Sequence, residues 1–425
     1  MARIRMMTLA GAMVVTVYGC GGPGDSGRAT DGGADGGAPA DAGRATDGGA
    51  DGGAPADAGS AAFDSLKLVK KVTLTGTGEG FSARPEIAAT ADKVFVIYLG
   101  NLGSSASITF SAKVFDADLS NAPTALTLVQ ASTTYGSPTD IRIAADGEAL
   151  YAFYETSQRS QTSNATYLWA AKFKLDDAMT QMAATPTPLA SSSKLAEVPD
   201  GHEMLDDPAP LVGPDSVFVV TRLDNSLSST GDAVYRVREL SKDSLTLIRE
   251  FDLNLSTAAT PRPVSGRGRV CSLRFVDGKI LMVLPTTSSD DGIREASDDG
   301  AQSDLVLVTL DSDWTFVEAR KLSAEPNDWE GYVTGLHANA TRLFVTYTQG
   351  VGGPGSGERR AQIKIFDRSL ALVHLETVRN VTWGPGGGEV RPSLELRGNR
   401  LYSGQSVSTA FVGDGDAEVS VYESN

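Results

Sequence analysis

The chain alternates apolar and polar residues in short segments, and the pattern recurs along its length. Residues 83–99 read ARPEIAATADKVFVIYL, with an Arg-Pro opening, a first alternating segment, a polar turn at residues 90–93 and a second apolar segment. A period of two residues is typical of β-strands with one buried face. Weaker copies lie at residues 138–154, 208–221, 269–284, 332–347 and 391–406. The pattern therefore predicts six copies of a two-strand hairpin.

Each hairpin is followed by a second strand pair with a pattern of its own. Residues 113–119 (KVFDADL) match residues 363–370 (IKIFDRSL), where an alternating strand leads into a turn that contains Asp or Ser. Looser copies occur at residues 171–179, 237–245 and 307–314. Four-stranded units repeated around an axis form a β-propeller. We therefore predict an all-β, six-bladed β-propeller of four-stranded antiparallel blades, with a twin β-sandwich as the alternative that the pattern leaves open.

The two ends of this predicted domain complement each other. The sixth unit supplies only three strands, the last at residues 417–422, whereas residues 65–75 (SLKLVKKVTLT) form a strand that precedes the first unit. An unpaired strand edge is a liability in a folded protein. We therefore predict that residues 66–74 pair beside residues 417–422 and close the ring, so that deletion of residues 65–75 sharply lowers the melting temperature.

The N-terminal segment has the pattern of a secretory signal. Arg3 and Arg5 precede a mostly apolar stretch at residues 6–17. Residues 17–20 (VYGC) resemble the lipobox of bacterial lipoproteins, in which the cysteine is thioether-linked to diacylglycerol and becomes the new N-terminus. The resemblance implies a lipidated Cys20 and, because no Asp stands directly after it, sorting to the outer membrane, on its periplasmic or its outer side. The alternative is a plain signal peptide with an incidental cysteine.

A low-complexity tract separates this segment from the predicted propeller. The sequence GRATDGGADGGAPADA occurs at residues 27–42 and again at residues 43–58. Such a tract lacks the large apolar side chains needed to offset the entropy of ordering, so it is predicted to be a disordered linker. The predicted organisation is a signal peptide at residues 1–19, a lipidated cysteine and linker at residues 20–60, and a β-propeller at residues 61–425.

Composition and motifs exclude several function classes. The 53 acidic and 37 basic residues give a formal net charge of −16, which argues against nucleic-acid binding because that requires a clustered basic face. The two cysteines provide no disulfide framework. The three histidines fall in different units, and the sequence lacks Gly-x-Ser-x-Gly and His-Glu-x-x-His. We therefore expect no metal site, no cofactor and no catalytic residues of these classes.

Loop lengths indicate which face of the ring carries function. The turns inside the hairpins are tight, while the long loops join the second strand to the third or one blade to the next, and those two classes of loop emerge on the same face. A protein or glycan ligand is expected there. The candidate binding residues are those at which the first strand of each blade begins, at the central mouth: Arg84, Asp140, Asp207, Arg269, Glu330, Tyr332 and Arg391. They would hold an anionic or polyhydroxyl ligand, or else form a salt-bridged plug between the strand ends.

Six-bladed, sialidase-like propellers use an arginine cluster to hold a carboxylate beside acidic and tyrosine residues. Part of this chain resembles such a site, namely the Arg84-Pro85 and Arg391-Pro392 openings with Arg269, Asp140, Glu330 and Tyr332. The Asp-box hairpins of that family (Ser-x-Asp-x-Gly-x-Thr-Trp) are missing from every blade, so the resemblance covers the architecture and no specific motif. It implies a glycan-acting hydrolase as an alternative function. The predicted function is a lipid-anchored, non-enzymatic binding or scaffold module of the cell envelope, and a structural subunit of an envelope complex is the third possibility.

Overall fold

The predicted closed ring of antiparallel blades is the fold observed. The computed structural model describes residues 62–74, 79–102, 108–147, 149–159, 164–193, 202–224, 234–255, 271–286, 304–322, 328–351, 358–382, 391–406 and 417–425. The strands in these ranges form six antiparallel sheets, each with the strand order of a propeller blade. Among these residues there is no helix long and apolar enough to span a bilayer. Cys20, the linker and Arg269 lie outside the described residues.

The first strand of each blade lies nearest to the axis of the ring, and the later strands lie progressively farther out. The inner strands are β2 (Glu79–Ala89), β6 (Ser137–Asp146), β11 (His202–Val212), β15 (Ser272–Val276), β19 (Asp328–Ala338) and β23 (Ser393–Arg397). The second strands are β3 (Lys93–Leu102), β7 (Ala149–Arg159), β12 (Ser216–Asp224), β16 (Lys279–Thr286), β20 (Arg342–Val351) and β24 (Arg400–Ser406). Each inner strand contacts the inner strands of the two neighbouring blades, and β23 returns to β2.

The outer half of each blade contains the second strand pair. The third strands are β4 (Thr109–Asp116), β8 (Asn164–Lys174), β13 (Val234–Ser241), β17 (Asp304–Asp311), β21 (Glu358–Asp367) and β25 (Ala417–Ser424). The outermost strands are β5 (Leu126–Gln130), β14 (Leu247–Asn254), β18 (Phe316–Lys321), β22 (Leu372–Thr382) and, in the sixth blade, β1 (Leu66–Thr73). The second blade differs from the predicted four strands because its outer edge consists of two short strands, β9 (Gln181–Ala184) and β10 (Ala190–Ser193), which both pair with β8.

The hydrophobic core is divided among the contacts between neighbouring blades. The described residues form six clusters of buried apolar side chains, and each cluster joins two adjacent blades. Between the first and second blades, for example, Phe95 and Phe110 pack with Ile141 and Phe173. Alternation along a strand sends one set of side chains to each face, so every blade contributes to two clusters.

The N-terminal strand closes the ring as predicted. β1 pairs antiparallel with β25, from Leu66 opposite Ser424 to Thr73 opposite Glu418. Phe63, just before β1, is completely buried and lies edge-on to Phe344 of the fifth blade, with ring centroids 5.2 Å apart. The segment before the first blade therefore completes the sixth blade and also packs against the fifth.

The turns between third and outer strands share one backbone feature, a residue with a positive φ angle. Each places an apolar residue in the left-handed region, and the residues at this position are Leu119 (φ 57°), Met179 (φ 44°), Leu245 (φ 55°), Trp314 (φ 66°) and Leu370 (φ 69°). In the fourth blade, the Trp314 N–H donates to the Asp311 carbonyl oxygen at 3.0 Å, and Asp311 Oδ1 accepts hydrogen bonds from the Asp313 and Thr315 N–H groups. The Asp or Ser at the start of the turn thus stabilises a conformation that is otherwise costly for a residue with a Cβ.

Candidate functional site

Three of the predicted mouth residues meet at one carboxylate. Arg84 of β2 and Arg391, just before β23, each direct Nη1 to Oδ2 of Asp140 in β6, at 3.1 and 2.8 Å. Arg84 Nη1 also donates to the Thr139 carbonyl oxygen at 2.7 Å. Asp140 is only 3% exposed, so the pairs lie in a poorly hydrated setting where charge-assisted hydrogen bonds are strong. The mouth therefore links the first, second and sixth blades.

Bulges in the inner strands position these side chains. The pairing register shifts between Ala83 and Glu86 in β2 and between Pro138 and Asp140 in β6, which leaves one extra residue on each inner strand. Arg84 lies in the first bulge with φ 50°, and its N–H donates to Ser406 Oγ of the sixth blade at 2.7 Å. A left-handed conformation costs a non-glycine residue about 1–2 kcal/mol, so surrounding contacts hold Arg84 there. Bulges often redirect a side chain in this way.

Farther along the inner strands, one arginine crosses the axis of the ring. Arg142 of β6 is 4% exposed and donates from Nη2 to the main-chain oxygen of Thr334 in β19, at 2.6 Å. Its Nε lies 3.2 Å from Glu86 Oε1 of β2. The second and fifth blades are opposite each other in a ring of six, so this side chain closes the channel from one wall to the other.

Glu86 is a buried carboxyl with an altered proton affinity. It is 8% exposed. Burial raises its pKa to about 7, and the nearby Asp140 contributes in the same direction, while Arg142 opposes both. Near neutral pH this group therefore exists as a mixture of the neutral acid and the carboxylate.

A second set of buried titratable groups lies toward the opposite end of the channel. Glu395 of β23 is 9% exposed, and burial raises its pKa to about 7 although Arg274 and Arg397 oppose the shift. His337 of β19 lies with Nε2 3.5 Å from Glu395 Oε2. Burial and the Arg274 charge hold the pKa of His337 well below its usual range, so the imidazole is neutral at physiological pH.

The other predicted mouth residues are placed only by their main chains. Asp207 lies in β11, within an irregular stretch of pairing between Met204 and Ala209. Glu330 and Tyr332 lie in β19. The structure describes the backbone of these strands, and the positions of these three side chains stay predictions, as does the role of Arg269.

Sequence reasoning missed the residues that fill the channel. Glu86, Arg142, Arg274 and Glu395 are all charged residues of inner strands. A usable signal was present, because Arg142 stands between two isoleucines and Glu395 between two leucines. A charged residue at such a position faces the axis or a buried partner.

The described residues contain no group of three or more His, Cys, Asp or Glu side chains arranged to hold a metal ion. The chemistry available at the centre of the ring consists of guanidinium–carboxylate pairing, proton exchange by Glu86 and Glu395, and hydrogen bonding by a neutral His337.

No protein-family model matches the chain, and no curated protein is similar to it in sequence. Several solved structures resemble the chain at low sequence identity. The phage phi92 endosialidase has a TM-score of 0.49 at 9% identity, over 84% of this chain and 70% of that one. An α-L-arabinanase of Penicillium chrysogenum gives 0.49 at 12% identity, over 84% of this chain and 98% of the other. The GH93 α-L-arabinofuranosidase of Fusarium graminearum gives 0.48 at 9% identity, over 83% and 97%. This likeness concerns the course of the backbone and adds nothing to the chemistry of the site.

Proposed function

We propose that this chain is a lipid-anchored envelope protein whose propeller is a non-enzymatic binding or scaffold module. The observation that supports the proposal is the internal pairing at the centre of the ring. Arg84 and Arg391 both bond to Asp140, and Arg142 reaches across the axis to Thr334. These groups act on one another, and they brace opposite and adjacent blades into a rigid platform for the loops of the mouth face.

The burial of the channel acids argues in the same direction. Glu86 and Glu395 are 8% and 9% exposed. A general acid or base must come within hydrogen-bond reach of the group it protonates or deprotonates. Side chains enclosed by inner strands do not offer that access to a polymeric substrate, whereas loops carried on a rigid ring provide a surface for a protein or glycan ligand.

The anchor is part of the same proposal. A lipidated Cys20 and the linker at residues 20–60 would hold the ring away from an outer-membrane surface. Cys20→Ser is expected to abolish incorporation of a labelled fatty acid and to move the chain from the membrane fraction to the soluble fraction. The matched control is Cys271→Ser, which removes the buried cysteine of the propeller and is expected to leave labelling and fractionation unchanged. Labelling that persists in Cys20→Ser would contradict the anchor.

One observation supports the second candidate, a glycan-acting hydrolase. Glu86 and Glu395 lie on the neighbouring inner strands β2 and β23, and the pKa of each is raised to about 7. A carboxyl that is still partly protonated near neutral pH is suited to act as a general acid toward a glycosidic oxygen.

A glycan array and a panel of chromogenic glycosides, both used with the full chain, separate the two candidates. The module predicts saturable binding that Glu86→Gln and Glu395→Gln leave unchanged, with no turnover of any glycoside. The hydrolase predicts turnover that Glu86→Gln or Glu395→Gln abolishes. Glu318→Gln, on an exposed part of β18, serves as the control in both assays. Turnover that is lost in Glu86→Gln and in Glu395→Gln but kept in Glu318→Gln would contradict the module and favour the hydrolase.

A further inference from the structure

A cavity lies near the ends of three inner strands, away from the mouth residues. Where β6, β11 and β15 approach their turns, the structure encloses a cavity of about 270 Å³. Its walls are the three stretches 144–147, 210–214 and 273–275, together with Lys242. Drug-sized ligands occupy pockets of about 300–1,000 Å³, so this volume suits a smaller molecule. The face is opposite the predicted mouth, and the proposed function assigns it no role.

Arg274 brings a positive charge to this cavity. Its side chain is half-buried, and among the described residues it makes no ion pair and no hydrogen bond. Its charge nevertheless acts on Glu395 and His337 deeper in the channel. A guanidinium presents a planar fork of donors that matches a carboxylate, which makes such a residue a natural anion-binding group.

The charges around the cavity favour a singly charged anion. Lys242 Nζ lies 2.5 Å from Asp146 Oδ2 and 2.8 Å from the Pro214 carbonyl oxygen, so its charge is already balanced. His337 is neutral, as described above. Arg274 is the cationic side chain of the cavity wall for which the described residues give no ion pair, and its single guanidinium fork matches a carboxylate.

Apolar side chains form part of the remaining walls. Leu211, Leu273 and Phe275 line the cavity beside Pro210. Apolar walls lower the local dielectric and strengthen the attraction between a guanidinium and a bound anion. They also suit the less polar face of a sugar ring.

We propose that this cavity binds a small, singly charged carboxylate of monosaccharide size, held by Arg274. The site is independent of the mouth at Arg84, Asp140 and Arg391, because it lies beyond the opposite ends of the inner strands. The molecule then has a second ligand site on the tight-turn face of the ring.

Isothermal titration calorimetry on the full chain tests the proposal with three probes: D-glucuronate, D-glucose and inorganic phosphate. Glucuronate is expected to bind, glucose to show no saturable binding, and phosphate to bind more weakly than glucuronate. Arg274→Gln is expected to weaken glucuronate binding about tenfold or more, the range for losing a hydrogen bond to a charged group. Arg274→Lys, which keeps the charge without the fork, is expected to lose less affinity. Arg249→Gln, on the exposed outer strand β14, is the matched control and is expected to bind as wild type.

Thermal unfolding of each variant establishes that it is folded before it is titrated. Equal binding of glucose and glucuronate, absence of glucuronate binding, or phosphate binding tighter than glucuronate would each overturn the proposal. So would glucuronate binding that survives Arg274→Gln and disappears in Arg391→Gln, because the ligand would then occupy the mouth.

Discussion

Arg142 in the second blade donates a hydrogen bond to the main-chain oxygen of Thr334 in the fifth blade, 192 residues later in the chain. The same guanidinium pairs with Glu86 of the first blade. One side chain thus connects three blades and closes the channel. The apolar clusters between blades join only adjacent blades. The Arg142 contact joins opposite blades and therefore adds a connection that apolar packing does not supply.

Removing this arginine should destabilise the fold. Arg142→Met deletes one partner of a buried ion pair and one cross-ring hydrogen bond, and breaking such a pair costs about 3–5 kcal/mol. Urea unfolding measures the loss. In a double-mutant cycle, Glu86→Gln combined with Arg142→Met is expected to cost less than the sum of the single changes by about 1–3 kcal/mol, because the two residues are in contact. Arg249→Met on the exposed outer strand should stay within about 0.5 kcal/mol of wild type. Additive single changes would show that Arg142 acts without Glu86.

The buried acids predict how stability depends on pH. The pKa of Glu86 and that of Glu395 are each raised from 4.5 to about 7, so both groups bind a proton more tightly in the folded chain than in the unfolded chain. Their stabilisation is complete below pH 4.5 and is lost as the pH rises to about 7 and above, by at most about 3 kcal/mol for each group.

Chemical unfolding over this pH range checks the effect. Glu86→Gln and Glu395→Gln should each flatten the decline in unfolding free energy, because a glutamine has no proton to lose. Glu318→Gln on the exposed outer strand should keep the wild-type profile. If the unfolding free energy of Glu86→Gln and of Glu395→Gln falls with rising pH as steeply as that of wild type, other groups cause the decline.

Ring closure depends on a residue before the first strand. Phe63 is fully buried against Phe344, and Phe63→Ala is expected to cost about 3–5 kcal/mol by loss of buried area and creation of a cavity. Val69→Ala is the matched control, since Val69 lies in β1 and is 47% exposed. Thermal and urea unfolding compare them. If both variants unfold as wild type, the N-terminal segment does not hold the ring closed.

The turn between β17 and β18 contains two aspartates, and only one of them accepts hydrogen bonds through its carboxylate in the structure. Asp311→Ala removes the acceptor for the Asp313 and Thr315 N–H groups and should lower stability by about 1–2 kcal/mol. Asp313→Ala, two residues later and exposed, removes a carboxylate for which the structure gives no hydrogen bond, and it should be nearly neutral. Equal losses in the two variants would show that charge, and not the turn hydrogen bonds, stabilises this position.

The strand pattern, the number of blades and the closing strand could all be predicted from the sequence. Alternation of apolar and polar residues is a local property, and it specifies both the strand and the face that it buries. The segment at residues 83–99 recurs in weaker copies along the chain, and the number of copies predicted the number of blades. The split outer edge of the second blade was not predicted, because its short strands β9 and β10 carry little alternation.

The candidate site could be predicted from the sequence only in part. Arg84, Asp140 and Arg391 were predicted to share the mouth, but the convergence of both arginines on one oxygen depends on bulges and on a left-handed Arg84 that the pattern does not reveal. The cavity at Arg274 was missed, because its walls come from three blades.

The sequence by itself therefore determined the strands, their buried faces and the ring that they form, since these depend on residues close together in the chain or on a repeat of them. The tertiary structure alone decided which charged groups meet. Contacts such as that of Arg142 with Thr334 join residues far apart in sequence, and their distances are defined only once the six blades have closed around the axis.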